Sequence, residues 1–214
     1  WSSDVCSSDL VRFWTPKLRP LLESLYGSVA DIDVLMQRLI TMALDAEQVR
    51  RPSLRRLDIE RETDPSWFQR PDMIGYVAYA DLFGGTLKGV ADRLDYLAEL
   101  KVTYFHLMKV LRAREGANDG GYAVLDYCDV DPALGTWSDL EYLADELHER
   151  GVSLCLDLVM NHTAREHEWA ELARGGSQRH RDYYLVFPDR TLPDQYEQTL
   201  PERSEEHTSE LQSH

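Results

Sequence analysis

Two short runs in this chain combine residue types that can act on a hydroxylated ligand. One is Asp157-Leu-Val-Met-Asn161-His162, where an apolar stretch that begins at Leu154 ends abruptly in Asn-His. The other is Asn118-Asp119-Gly120-Gly121-Tyr122. A carboxylate accepts hydrogen bonds from hydroxyls, and an aromatic ring three residues away offers a flat apolar face. Together they suit a sugar, whose rim is polar and whose ring face is not. The glycines let the backbone turn tightly and let a ligand come close. Asp157 stands inside an apolar run, where an unpaired carboxylate costs on the order of several kcal/mol. It therefore needs backbone donors or a cation. His162 at the tip can donate to a hydroxyl or ligate a metal. Each run also has a plainer reading. Asn-Asp-Gly-Gly is an ordinary turn, and Asp157 with His162 fits a structural polar network.

The stretch His162-Thr-Ala-Arg-Glu166-His167-Glu168 invites a metal reading. It lacks the two-histidine i, i+4 spacing that sets ligands on one helical face, so no metal and no cofactor is expected. Asn161-His162-Thr163 matches a glycosylation sequon by chance. No Gly-rich phosphate loop, Gly-x-Ser-x-Gly elbow or Cys-x-x-Cys pair is present.

The elements that must position these groups follow from periodicity. Ile74 to Ala80 alternates and reads as a strand. Thr86 caps a helix over Leu87 to Leu100 with Val90, Leu94, Leu97 and Leu100 on its apolar face. Val102 to Leu107 is a second buried strand, and residues 108 to 136 form a long connection. An amphipathic helix from Trp137 to Arg150 stops at Gly151, and a third apolar strand follows over 152 to 159. The order is strand, helix, strand, long loop, helix, strand, with right-handed crossovers. In a parallel α/β sheet ligands bind beyond the carboxyl ends of the strands, where Asp157, Asn161 and His162 fall. Beyond Asn161 a short helix near His167 and a short strand over Tyr183 to Phe187 are expected. Residues 11 to 70 read as helical from Leu18, Leu21, Leu22 and Leu25, then Ile32, Leu35, Met36, Leu39, Ile40 and Ala43, and a weaker segment at Leu54, Leu57 and Ile59.

Bulk properties bound the partners. The 214 residues are 43% hydrophobic and carry a net charge of −15. An acidic balance argues against nucleic acid and anionic membranes. No apolar run approaches the roughly 18 residues of a membrane span. No signal peptide is visible, so a cytoplasmic location is expected. The three cysteines Cys6, Cys128 and Cys155 make no disulfide framework. The ends, 1–10 and 203–214, resemble translated sequencing-adapter read-through. On that reading Cys6, His207 and His214 carry no function.

Taken together these runs resemble the α-amylase type of glycoside hydrolases. Asp157-Leu-Val-Met-Asn161-His162 is similar to the signature at the end of the third barrel strand. Within that clan the resemblance is to amylosucrases, through Tyr104-Phe-His-Leu-Met108, Asp119-Gly-Gly-Tyr-Ala-Val124, Asp131-Pro-Ala-Leu-Gly-Thr136, Glu166-His-Glu-Trp169 and Phe187-Pro-Asp-Arg190. The resemblance implies an α/β fold, the N-terminal part of a (β/α)8 TIM barrel with strands 1 to 3, preceded by a helical region over 11–70. Residues 71–160 would be the first part of the barrel and 161–202 the start of the insertion after strand 3. It implies a retaining sucrose-dependent α-glucosyltransferase whose partners are sucrose and an α-glucan acceptor. Asp119 would hold glucosyl hydroxyls, Tyr122 would stack beneath the ring, and His162 would donate to a hydroxyl. Asp157 and Asn161 would be structural. Nucleophile and acid/base would lie beyond this chain, so made alone it is expected to be inactive and partly unfolded or aggregated. Kindred expectations are a sucrose hydrolase or another α-amylase-type glycosidase; an inert carbohydrate-binding fragment is the expectation from another class. The family usually has proline after His-Leu-Met, where this chain has Lys109-Val110. Its loss leaves the path of the following loop open.

Overall fold

The structure is a computed structural model and describes residues 7–116, 118–199 and 212–213. Most of both adapter-like ends, with Cys6, His207 and His214, lies outside the described residues. The chain divides into two compact units, 1–69 and 70–214.

The first unit is helical. Helix α1 spans Ser7–Tyr26, α2 spans Ile32–Val49 and α3 spans Pro52–Thr63. Asp31 caps α2, its Oδ1 accepting from the amides of Asp33 (3.0 Å) and Val34 (3.2 Å). Pro52 opens α3, where a missing N–H costs nothing. Arg50 reaches across from the end of α2 to Asp58, with Nη2 2.7 Å from Oδ1. The leucines of α1 do not find a core, since Leu21 and Leu25 are both exposed. Periodicity identifies a helix correctly here but does not supply a surface to bury its face.

The second unit is built on a parallel sheet. Strand β1 is Gly75–Tyr79. Helix α4 (Ala80–Gly84) and the short helices α5 (Leu87–Ala91) and α6 (Leu94–Glu99) lead to β2, Tyr104–Met108. Strands β3 (Leu111–Ala113) and β4 (Val124–Val130) form an antiparallel ribbon. Helix α7 (Trp137–Glu149) then leads to β5, Ser153–Leu156. The parallel sheet has the order β1-β2-β5. Its register sets Val77 beside His106 and His106 beside Cys155. Side chains alternate across a strand, so the sheet has two unlike faces. Tyr76, Ala78, Phe105, Leu107, Leu154 and Leu156 pack with the helices, against Leu87, Val90, Leu94, Leu97, Leu140, Leu143 and Leu147. Val77, Tyr79, His106, Met108 and Cys155 occupy the opposite face. The remainder comprises α8 (Glu168–Arg174), α9 (Gln178–Arg181), β6 (Tyr184–Leu185), α10 (Thr191–Thr199) and β7 (Gln212–Ser213), the last paired antiparallel with β6.

Local chemistry explains the element ends. Thr136 and Asp139 form a reciprocal capping box at the start of α7, with the Thr136 amide donating to Asp139 Oδ2 at 2.8 Å. Gly151, with φ +72°, ends that helix in a backbone conformation that favours glycine. Three sequence expectations change. The single helix over 87–100 is two, because the backbone leaves helical geometry at Arg93 (φ −105°, ψ 10°). The long connection over 108–136 contains the β3–β4 ribbon, whose register shifts blur the alternation that would have announced it. The third strand ends at Leu156, so Asp157 stands at the carboxyl tip rather than inside the strand. At the site of the missing proline, Lys109 has φ +62°. Proline is locked near φ −65° and cannot take that path.

Phe105 is fully buried at the centre of the helix-facing side. Phe105→Ala should lower the stability of this unit by about 3 to 5 kcal/mol, read in the full-length protein as a drop in urea midpoint with unchanged slope.

Candidate functional site

The face of the sheet away from the helices carries polar groups at the strand ends. Asp157 follows Cys155 by two residues and so shares the side of His106. His106 Nε2 lies 2.8 Å from Asp157 Oδ1. A carboxylate only accepts, so Nε2 is the donor. On the other oxygen, the Tyr122 hydroxyl donates to Asp157 Oδ2 at 3.0 Å. The carboxylate is thus held by an imidazole from β2 and a phenol from the loop before β4. This answers the demand that a carboxylate at the end of an apolar run be paired. Burial, the Asp157 carboxylate beside it and the Tyr79 hydroxyl, in that order, push the Tyr122 phenol well above its ordinary range. It therefore stays protonated and keeps donating.

The turn that delivers Tyr122 is shaped by its glycines. Residues Asp119–Gly121 form a tight, non-helical turn, with Gly120 at φ +65° and Gly121 at φ +98°. The Gly121 amide donates to the Asn118 carbonyl and to Asn118 Oδ1, both at 3.0 Å. The Asp119 side chain lies outside the described residues. Its backbone begins the turn that ends in the Tyr122 ring.

The segment after Asp157 is held by β4 and its neighbours. Tyr127 Oη shares its hydrogen between the carbonyls of Val159 (2.6 Å) and His162 (3.0 Å). The Ala164 amide donates to the Val124 carbonyl at 2.8 Å. Arg114 Nη2 meets Glu166 Oε1 at 2.8 Å, and the Thr163 and Tyr184 hydroxyls lie 3.1 Å apart. Asn161 is exposed and its Nδ2 faces His162 Nδ1 at 3.5 Å, a weak contact. His162 Nε2 is buried and meets no partner among the described residues. An unpaired buried ring nitrogen costs about 1 to 3 kcal/mol.

Tyr122 and Asp157 are therefore in direct contact, and His162 and Asn161 follow on the same strand exit. Sequence reasoning missed three members. His106 stood inside an apolar motif and gave no sign beyond its inward alternation. Tyr79, at the end of β1, read only as a strand residue. Tyr127 had no local signal at all, because its acceptors lie 32 and 35 positions away. His167, first met in the metal-like stretch, is buried at the start of α8. Its Nδ1 accepts from the Trp169 amide at 3.1 Å and its ring packs edge-on against Tyr127 and Trp169. It is a helix cap here. No group of three or more His, Cys, Asp or Glu among the described residues is arranged to hold a metal ion.

Residues 53–210 match the family model of the alpha amylase catalytic domain. The oligo-1,6-glucosidase of Bacillus cereus is 39% identical over 105 residues, 49% of this chain and 18% of that protein. The human amino acid transporter heavy chain SLC3A1 is 35% identical over 101 residues, 47% of this chain and 14% of that protein. Among solved structures, a mutant of the trehalulose synthase MutB in complex with glucose superposes with TM-score 0.50 at 30% identity, covering 57% of this chain and 23% of that one. The trehalose-6-phosphate hydrolase TreA of Bacillus licheniformis does so with TM-score 0.50 at 32% identity, covering the same shares. The chain thus spans less than a quarter of the length of these relatives.

The burial of His167 lowers its proton affinity, with Asp126 and Glu168 pulling weakly the other way. The unfolded chain then binds the proton more readily than the folded one, so the contribution is fully present above the unfolded value near pH 6.5 and is lost as pH falls from there through the lower folded value. His167→Asn keeps a cap acceptor and removes the titration. Urea midpoints of the full-length protein measured from pH 8 to pH 5 should fall less steeply in that variant than in the parent.

Proposed function

The chain belongs to the alpha-amylase catalytic-domain family, and from that premise we propose that it is part of a retaining, sucrose-dependent α-glucosyltransferase of the amylosucrase type. Residues 71–160 supply the first three strands of the barrel, and 161–202 begin the insertion after the third. The observation that carries the reading is the meeting of Tyr122 with Asp157, just past β5, and with Tyr79, at the end of β1, while His106 of β2 holds the other oxygen of Asp157. A sugar bound there lies on the Tyr122 ring, whose height above the sheet Asp157 fixes. Asp119 accepts hydrogen bonds from the glucosyl hydroxyls. His162 donates to a hydroxyl of the same ring and helps stabilise the oxocarbenium-like transition state by holding that ring in place. Asn161 holds the loop, and Asp157 anchors the strand exit.

Retaining hydrolysis or transfer needs two carboxyl groups about 5 to 5.5 Å apart, one nucleophile and one acid/base. Under this reading both come from later barrel strands outside this chain. The nucleophile opens sucrose to a covalent glucosyl intermediate and releases fructose. An α-glucan hydroxyl then displaces the enzyme carboxylate, in competition with water.

A second reading keeps the pocket and changes the outcome. The names of the relatives favour it, since they include an oligo-1,6-glucosidase and a trehalulose synthase. Product analysis separates the two: the full-length enzyme given sucrose should release fructose and lengthen an α-glucan primer. Release of glucose and fructose in equal amounts, or rearrangement of sucrose to an isomer, would select the second reading. The third, an inert sugar-binding scaffold, predicts no turnover of any glucoside but heat on titration with sucrose or maltose. The 214-residue chain by itself is expected to release no glucose or fructose from sucrose, and turnover by it would refute the division of labour proposed here.

A further inference from the structure

Lys109 occupies the place where a proline would have closed strand β2, and three observations meet on it. Its backbone is left-handed at φ +62°, uncommon for a residue with a side chain and closed to proline. Its stem lies across Gly121: a Cβ on that glycine would sit 2.2 Å from Lys109 Cγ, 2.5 Å from Cδ and 2.6 Å from Cε. Its ammonium reaches Asp81 Oδ2 at 3.1 Å, in the first turn of α4 just beyond β1. The other oxygen of Asp81 accepts from the Leu82 amide at 3.0 Å, so that carboxylate is itself oriented.

These contacts form one mechanical unit. The left-handed turn at 109 aims the side chain sideways along the strand ends instead of onward along β2. The four-carbon stem then fills the space that glycine at 121 leaves. Gly121 is buried and has φ +98°, so its own backbone requires glycine, and the lysine stem packs into the space that the missing side chain leaves. The residue after it is Tyr122. What seats Gly121 therefore bears on where the backbone of Tyr122 stands, while the bond to Asp157 holds its hydroxyl.

We propose that Lys109 is a positioning residue for the glucosyl pocket: its stem seats the Asp119-Gly-Gly-Tyr122 turn, and its ion pair with Asp81 ties that turn to the end of the first strand. The proposal rests on the sugar-site reading above. It names a residue that acts through the platform rather than on the sugar. It also gives the lysine a role where a proline at the same place could only end the strand.

The test uses the full-length enzyme and two readouts. Hydrogen exchange of the peptide covering 118–124 reports on the turn with no sugar present. The kcat/KM for sucrose reports on the pocket. Lys109→Gly keeps the left-handed backbone accessible and removes stem and charge together. It should speed exchange in that peptide about tenfold and lower kcat/KM roughly three- to tenfold. Lys109→Arg should stay within about twofold of the parent in both. Asp81→Asn, which leaves the lysine backbone untouched, should shift both readouts in the same direction by less. Unchanged exchange in Lys109→Gly and Asp81→Asn would overturn the proposal whatever the kinetics. Faster exchange with unchanged kcat/KM would also overturn it, since the turn would then be loosened without consequence for the pocket. Faster exchange in an enzyme whose parent turns over no glucoside would leave the clamp standing and sink the sugar-site reading instead.

Discussion

A half-buried carboxylate at the exit of an apolar strand organises this unit. Asp157 would be costly in place without donors, and the donors come from two other elements, His106 in β2 and Tyr122 in the loop before β4. Meeting that demand forces the loop down onto the strand ends. It also fixes the ring of Tyr122 over the carboxyl edge of the sheet. The cost of leaving one carboxylate unpaired therefore becomes a constraint on where an aromatic surface stands. The helix-facing side of the sheet needs no such device. There Phe105, Leu107 and the leucines of α5, α6 and α7 are held by burial alone.

The two faces of the sheet divide the work of the sequence. One face is read by the helices and asks only for volume and apolarity, which many residues satisfy. The other asks for particular donors at particular tips. Alternation along β2 places Phe105 on the first and His106 on the second, one residue apart. A slip of one position in register would exchange them and lose both core and site. The capping box at Thr136 and the left-handed Gly151 guard against such a slip by fixing where α7 starts and stops, and hence where β5 begins.

Much of this was legible in the residues. The strands at β1 and β2, the helix α7 with its glycine stop, and the polar exit after the third strand follow from periodicity and local turn chemistry. Asp157, with its need for partners, was visible as a carboxylate out of place. Its partners were not, because hydrogen bonds between positions 35 and 51 apart leave no local trace. The β3–β4 ribbon was hidden by its bulges, and the break at Arg93 by a leucine stripe that runs on through it. Lys109 showed only as a departure from a motif. That it turns left, and lies on Gly121, needed the backbone to be seen. The exposed leucines of α1 mark the opposite limit: a clear helical stripe says that a face wants cover and says nothing about what provides it.

The outer edge of β5 has a consequence for how the molecule comes into being. Among the described residues β5 pairs only with β2, so one row of its amides and carbonyls has no strand beside it. Just past it Leu158 and Met160 are exposed. On a ribosome, strands are delivered in order, and at about 5 to 20 residues per second a nascent sheet waits for its next member. Through that interval this edge is a ready template for another chain. The short length of β5 and the carboxylate locked at its end by His106 and Tyr122 limit how far a foreign strand can zip along it, so the pairing that orders the site also shields an unfinished fold.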